Sequence, residues 1–362
     1  RTLTNEILRY ITEIEQNRYK VSSVKLSKTV MNKLRKNSKK KSSYASNKIE
    51  GNPLSEKQVN EVIESDERKH YLKPEQEVRN YFLALNYLEE KVKNKEKFSK
   101  QLILDVQKLV EKGASKEKIG LRGPMPPGVL FAVYDSKTGN PDYIPPEYCD
   151  IPGLLDELVE YVNTTDDHPL IVAAVVHYQL VTIHPFEDGN GRTARLLSGY
   201  IMDLNGYGFN GIGSLEEYFA YDIDEYYESI QMGLPALYYS GRENPPHPEI
   251  WINYFLRMVK LYSGKVCDLQ LASEEEDIAG SLSFLKGKEK ELLLFLMKNY
   301  RGEFTPIEIS RELSVTNKTV INRLTMLVKN GFVIPILVNK RIRSYESVSY
   351  THLRAHETLS DL

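Results

Sequence analysis

Only two cysteines, Cys149 and Cys267, occur in 362 residues. They cannot staple a fold of this size, which points to a reducing compartment and a core held by apolar packing. Neither sign of charge dominates: 48 Lys and Arg against 50 Asp and Glu leave a formal net charge of −2. Binding to nucleic acid or to an anionic membrane must therefore come from a local patch. No hydrophobic run approaches the ~20 residues that span a bilayer; the longest is Leu170 to Val176. No secretory signal opens the chain, which begins on Arg1 rather than Met and is read as truncated at that end. What is present is a globular mix, 41% hydrophobic and 27% charged. At about 150 residues per domain, the length predicts two or three domains.

The first hundred residues read as helices, with Leu3, Ile7, Leu8, Ile11 and Ile14 at helical spacing. The basic run from Lys33 to Lys41 reads as a solvated helix end or loop rather than a phosphate site. A short helix is expected to end at Glu50, with Gly51 as its C-terminal cap and Pro53 preventing continuation. Ser55 and Gln58 form a capping box for the next helix. Residues 120–148 break the helical pattern with a Pro- and Gly-rich cluster and the β-rich stretch Val129 to Tyr134; 129–146 reads as a hairpin lying on a helical body. A helix with Pro169 in its first turn is apolar on nearly every side, so it should be central and buried. A second apolar helix is expected from about Thr193 to Leu204.

The loop between these two helices carries the chemistry. Gly189-Asn190-Gly191 lets backbone approach a ligand closely, and it precedes a helix whose unpaired N–H groups and dipole favour an anion. Arg192 and Arg195, three apart, can serve the same site. Asp188 is a hard oxygen ligand suited to Mg²⁺ on phosphate oxygens, and His184 is an available general base. These are the parts of phosphoryl or nucleotidyl transfer. His177, seven residues upstream of His184, reads as structural.

His184-Pro185-Phe186-Glu187-Asp188-Gly189-Asn190-Gly191-Arg192-Thr193-Ala194-Arg195 resembles the full Fic-family signature, HPFx(D/E)GNGRxxR, without departure. The resemblance implies transfer of AMP from ATP to a Tyr, Ser or Thr hydroxyl of a target protein, with self-modification. It implies that His184 deprotonates the hydroxyl, Phe186 packs inward, and Asp188 holds Mg²⁺ or Mn²⁺. The Gly189 to Gly191 amides and Asn190 would cradle phosphates, Arg192 would contact them, and Arg195 would take the γ-phosphate. Gly191 stands where the phosphorylating Doc branch has Lys, which favours AMP transfer. The hairpin would be the family's flap, docking a target segment by β-augmentation, with Tyr143 and Ile144 lining the nucleotide. Tyr226 and Tyr227, a core pair if taken alone, match a family position beside the adenine. Leu234 stands where relatives often place Asn.

Ser46 to Asn52 resembles the family's inhibitory motif, (S/T)xxxE(G/N), in which Glu50 would pair with Arg195. Ser46 and Glu50, four apart, share one helix face. Farther on, 305–313 and 316–324 read as helix-turn-helix, followed by a strand and a wing, with Lys318, Asn322, Arg323, Lys340, Arg341 and Arg343 placed to face DNA. The expected fold is mainly α: a Fic-type helical core with a β-hairpin flap, plus a C-terminal winged helix-turn-helix domain. The expected divisions are a helical region 1–100 containing the inhibitory motif 46–51, a catalytic core 101–245, a helical linker 246–284 with an acidic stretch at 274–277, and a winged helix 285–346. Residues 347–362 read as an artefactual translated tail. The expected setting is a bacterial cytoplasm, with a homodimer, no membrane, and DNA as a possible second partner. The rival functions are a DNA-binding regulator with a nucleotide-sensing domain and an enzyme that also removes AMP.

Overall fold

A computed structural model describes residues 4–115, 119–134, 139–234, 242–281, 285, 287–300, 302–338 and 341–347. Elements follow in chain order as α1 (Asn5–Ser23), α2 (Lys28–Ile49), α3 (Glu56–Glu64), α4 (Lys73–Lys93), α5 (Lys100–Glu111), β1 (Val133–Tyr134), β2 (Pro141–Tyr143), α6 (Ile151–Thr164), α7 (Pro169–Ile183), α8 (Asn190–Leu204), α9 (Glu216–Tyr221), α10 (Ile223–Gln231) and α11 (Glu249–Ser281). After these come α12 (Gly287–Asn299), β3 (Glu303–Phe304), α13 (Pro306–Glu312), α14 (Asn317–Lys329), β4 (Val333–Val338) and β5 (Arg341–Ser347). The mainly α fold predicted from the sequence is observed. Among the described residues no helix is long and apolar enough to cross a membrane.

The chain divides into two compact units, 1–273 and 274–362. Within the first there is no break at residue 100: Ile7 and Ile14 of α1, Ala45 of α2, Tyr81 of α4, α7, α8 and Phe255 of α11 belong to one core. The predicted linker 246–284 is also corrected. Trp251, Phe255, Val259 and Val266 of α11 are buried in that same core, so the segment is structural rather than connecting. The acidic stretch 274–277 continues the helix. The predicted tail, apart from Ser347 in β5, lies outside the described residues.

The centre is α7 packed on α8. Leu170, Ala173, Ala174 and Val176 of α7 are buried, as its all-round apolar sequence requires. His177 sits here without exposure, its Nε2 2.8 Å from the Tyr226 hydroxyl and Nδ1 3.4 Å from Ser198 Oγ. Burial, with Arg195 nearby, holds its pKa well below the usual histidine value. It is a structural, neutral imidazole within an aromatic cluster that includes Trp251, with ring centroids 5.0 Å apart.

The N-terminal region differs from the expected short helix. Lys28–Ile49 is one 22-residue helix, so the basic run lies within it. Lys33 and Lys36 are exposed, as a solvated helix face requires, but three of its lysines are paired: Lys39 with Glu89 of α4, Lys40 with Glu64 of α3, Lys41 with Glu217 of α9. The helix closes as a Schellman turn. Gly51 N–H donates to Lys48 O at 3.0 Å, Asn52 N–H to Asn47 O at 3.0 Å, and Gly51 adopts φ +80°.

The second unit joins α13 and α14 through Ser314, and its antiparallel sheet has the order β3-β5-β4. Thr305 and Glu308 form a capping box for α13, and Thr316 caps α14. Leu292, Leu296, Phe304, Ile309, Leu324 and Tyr345 make a core of their own.

Candidate active site

The site is built where α7 ends. His184 takes the left-handed conformation (φ 48°, ψ 58°) and stops the helix, turning the chain into Pro185-Phe186. Phe186 is fully buried and anchors the loop from below. The helix that follows begins at Asn190, earlier than the expected Thr193. Gly189 makes this possible: it adopts φ +81°, and a Cβ there would meet Glu111 Oε1 at 2.7 Å. The first N–H groups of α8 therefore open directly onto the loop, the arrangement an anion site needs.

The Asn190 side chain is not part of the phosphate cradle that the sequence suggested. Its Oδ1 accepts from Phe186 N–H at 3.0 Å and its Nδ2 donates to Phe186 O at 2.9 Å. Both of its polar atoms brace the loop, and the cradle consists of backbone.

The His184 ring is partly buried, and its Nδ1 lies 3.3 Å from Val181 O. That contact places the proton on Nδ1 and leaves Nε2 with a free lone pair. Desolvation pushes the pKa down to about 4, against the opposing effect of the Val181 carbonyl, so the ring is neutral around pH 7. The His184 carbonyl accepts from Arg122 Nε at 2.8 Å, and Arg122 also binds Pro146 O. Arg122 thus ties the base of the hairpin to the loop.

Arg195 is 3% exposed. Its Nη2 lies 2.6 Å from Glu50 Oε1 and 3.1 Å from Ser46 O, its Nε 2.8 Å from Ser46 Oγ, and its Nη1 3.4 Å from the Tyr226 hydroxyl. Burial opposes its charge, but Glu50, together with Tyr226 and Tyr81, outweighs burial and holds the guanidinium more firmly protonated than usual. Gly191 gives Glu50 its room: a Cβ at 191 would clash with Glu50 Oε1. The expected Glu50–Arg195 pair is therefore brought together in space, with Ser46 beside it and Gly191 leaving it room.

Arg192 is buried on a partner the sequence reading missed. Its Nη2 lies 2.9 Å from Glu111 Oε1 and 3.4 Å from Asp188 Oδ1, and Nη1 lies 3.8 Å from Glu77 Oε1. Glu111 has no exposure. Burial raises its pKa to about 7 despite Arg192, with Asp188 and Glu77 adding to the rise. One turn earlier, Gln107 donates to Asp188 O at 3.3 Å and accepts from Gly120 N–H at 3.0 Å. A signal existed: Gln107 and Glu111 interrupt the buried apolar stripe Leu102, Ile103, Val106, Val110 of α5.

Two of the expected nucleotide contacts are displaced. Tyr143 is buried and its hydroxyl donates to Thr182 O at 2.6 Å, so it anchors β2 to α7 instead of lining an opening. Tyr226 is likewise buried, its hydroxyl shared between His177 and Arg195. Tyr227 remains substantially exposed. Ile144 lines a cleft of about 230 Å³ with Arg122, Phe131 and Tyr148. Among the described residues of 129–146 only β1 and β2 pair, with Val133 opposite Tyr143; the expected tip at 135–138 lies outside the described residues. Leu234, in place of the family's Asn, packs partly buried against the core.

Asp188 is the candidate metal ligand. Its Oδ1 accepts from Gly189 N–H at 2.8 Å, which turns the carboxylate toward the start of α8. Among the described residues no group of three His, Cys, Asp or Glu could hold a metal. A single hard carboxylate beside an anion cradle fits Mg²⁺ or Mn²⁺, whose remaining ligands would be phosphate oxygens and water.

The model of the Fic/DOC family matches residues 32–202. The chain is 28% identical over 202 residues to protein adenylyltransferase Fic of Aedes aegypti, covering 54% of this chain and 38% of that protein. It is 45% identical over 67 residues to protein adenylyltransferase fic-1 of Caenorhabditis elegans, covering 18% and 13%. It thus spans about two-fifths or less of the length of these curated relatives. In fold it resembles a Fic family protein from Desulfovibrio desulfuricans, with TM-score 0.58, 20% identity and coverage of 96% and 98%. It also resembles Fic-1 of C. elegans, with TM-score 0.57, 23% identity and coverage of 75% and 73%.

Proposed function

Because the chain belongs to the Fic family, we propose that it is a self-inhibited protein adenylyltransferase that moves AMP from ATP to a Tyr, Ser or Thr hydroxyl, including its own. The observation that carries this reading is the pairing of a neutral His184, with Nε2 free, and an α8 N-terminus whose second arginine is held by Glu50. In the reaction the target hydroxyl oxygen attacks the α-phosphorus as its proton passes to His184 Nε2. The bond from the α-phosphorus to the bridging oxygen breaks, and pyrophosphate leaves. The backbone N–H groups at the start of α8 hold phosphate charge, and Arg195, once released, takes the γ-phosphate. Asp188 would hold Mg²⁺ or Mn²⁺, which neutralises phosphate charge when bound.

The target segment docks by pairing with the hairpin edge. The exposure of Val129, Leu130 and Tyr134 around β1 supports this, since such apolar side chains give an extended peptide a surface to cover. The second unit is read as a winged helix. Exposed Lys318 and Asn322 on α14, with exposed Arg341 and Arg343 on β5, support the runner-up, a DNA-binding regulator; Arg323 is partly buried. Lys340 lies outside the described residues. Removal of AMP as the main activity remains the rival within the family, with Glu50 aligning a water.

The test is label transfer from ATP with Mg²⁺ or Mn²⁺, using wild type and the Glu50→Gly and His184→Ala variants. Label should move from the α-phosphate, not the γ-phosphate, and His184→Ala should abolish it. Transfer of γ label would make the protein a kinase. Operator binding without any labelling would favour the regulator.

A further inference from the structure

A cleft of about 440 Å³ lies between α2, α4 and α8 and is closed by the loop 206–213. That is the size of a small-ligand site. Its charges are unevenly matched. The cations on its walls are engaged: Arg35 Nε donates to Asn210 O at 2.6 Å, Lys39 pairs with Glu89, Lys93 with Glu90, and Arg195 with Glu50. Two carboxylates, Asp203 and Glu216, face it without an ion pair among the described residues. Glu216 accepts from Ser42, Ser214 and Tyr81 hydroxyls. The Asp203 side chain makes no hydrogen bond or ion pair among the described residues. Asp203 is itself solvent-exposed, so its carboxylate is open to a ligand that enters the cleft.

Space and surface complete the site. Gly199 lies one turn before Asp203 on the same face of α8, and a Cβ there would meet nothing within 4 Å, so room opens beside the carboxylate. Gly208 lets Asp203 lie over the loop, because a Cβ at 208 would clash with Asp203 Oδ1. Met202, Tyr207, Phe209, Phe219 and Tyr262 line the rest. Such walls cover an apolar body, and aromatic faces attract a cation.

We propose that this cleft binds a small organic cation, an ammonium group on an apolar or aromatic body, with Asp203 as its counter-ion. Tyramine is a suitable probe, and tyrosol, the same body with a hydroxyl in place of the ammonium, is its neutral control. Calorimetric or ligand-observed NMR titration of the full chain should show saturable tyramine binding, with tyrosol at least about tenfold weaker, the worth of one charged hydrogen bond. Asp203→Asn should weaken tyramine by a similar factor and leave tyrosol unchanged. Gly199→Leu, which grows into the open space and favours helix, should block both ligands without lowering Tm. Equal affinity for the two ligands, tyramine binding that survives both substitutions, or no saturable tyramine binding in the millimolar range would overturn the proposal.

Discussion

Glu50 Oε1 lies 2.6 Å from Arg195 Nη2, joining the end of α2 to the first turns of α8 across 145 residues of chain. The arginine is almost fully buried and the glutamate is about one-third exposed. The pair can therefore open at Glu50 while Arg195 stays in place on Ser46 and Tyr226.

Glu50→Gly should raise self-labelling from α-labelled ATP by about 10–150-fold, equivalent to relieving a disfavoured pose by roughly 1.5–3 kcal/mol. Arg195→Ala should show no such gain, because it removes the γ-phosphate contact together with the brake. The double variant should match Arg195→Ala alone, since the two residues act as one unit. Equal labelling of wild type and Glu50→Gly would reduce the end of α2 to a structural cap.

The pH profile follows from His184. Burial lowers its pKa to about 4, so the base form persists below the usual histidine range. The acidic limb of kcat/KM for Glu50→Gly should fall well below pH 6.5, in the region of pH 4–5 if the protein remains folded. A limb centred at 6.5 would show an imidazole that titrates as if in water. His184→Ala should lose about 10²–10⁴ in rate at pH 7.

Glu111 makes a stability prediction. Its folded-state pKa is raised from 4.5 to about 7, so the folded protein holds this proton more tightly than the unfolded chain. The favourable contribution of the protonated form is complete below pH 4.5 and is lost as pH rises through 7. Glu111→Gln mimics the protonated form. Its stability relative to wild type should therefore grow from pH 5 to pH 8, by roughly 3 kcal/mol at most. Urea unfolding at both pH values measures this; a constant difference would show that Arg192 keeps Glu111 ionised throughout.

Asn190→Ala should lower stability. The substitution leaves Phe186 N–H and C=O buried without the partners they have now. A loss of about 1–3 kcal/mol is expected, a Tm decrease of roughly 3–8 °C. Thermal unfolding and labelling should fall together. An unchanged Tm with lost labelling would instead assign the Asn190 side chain to the phosphates.

Much of this site was legible because it is local. The signature from His184 to Arg195 places an imidazole, a carboxylate, a glycine turn and a helix start within one segment, and their neighbours in space are their neighbours in sequence. The end of α2 was legible for the same reason: Gly51 and Pro53 are short-range signals, and the Schellman turn uses only the chain around it. The basic run was harder to read. Lys39, Lys40 and Lys41 find carboxylates on α4, α3 and α9, and no sequence spacing encodes those partners.

The sequence by itself determined which groups are available, where the central helices lie, and that Ser46 and Glu50 share a helix face with an arginine to seek. Tertiary structure decided which of those groups are already occupied. Asn190, Tyr143 and Tyr226 carry the right atoms, yet each uses them on a backbone or side-chain partner in the core. Arg192 is held by Glu111, a residue 81 positions earlier. The reason is physical. A polar group removed from water must find a partner, and in a packed interior that partner is whatever the fold brings within about 3 Å.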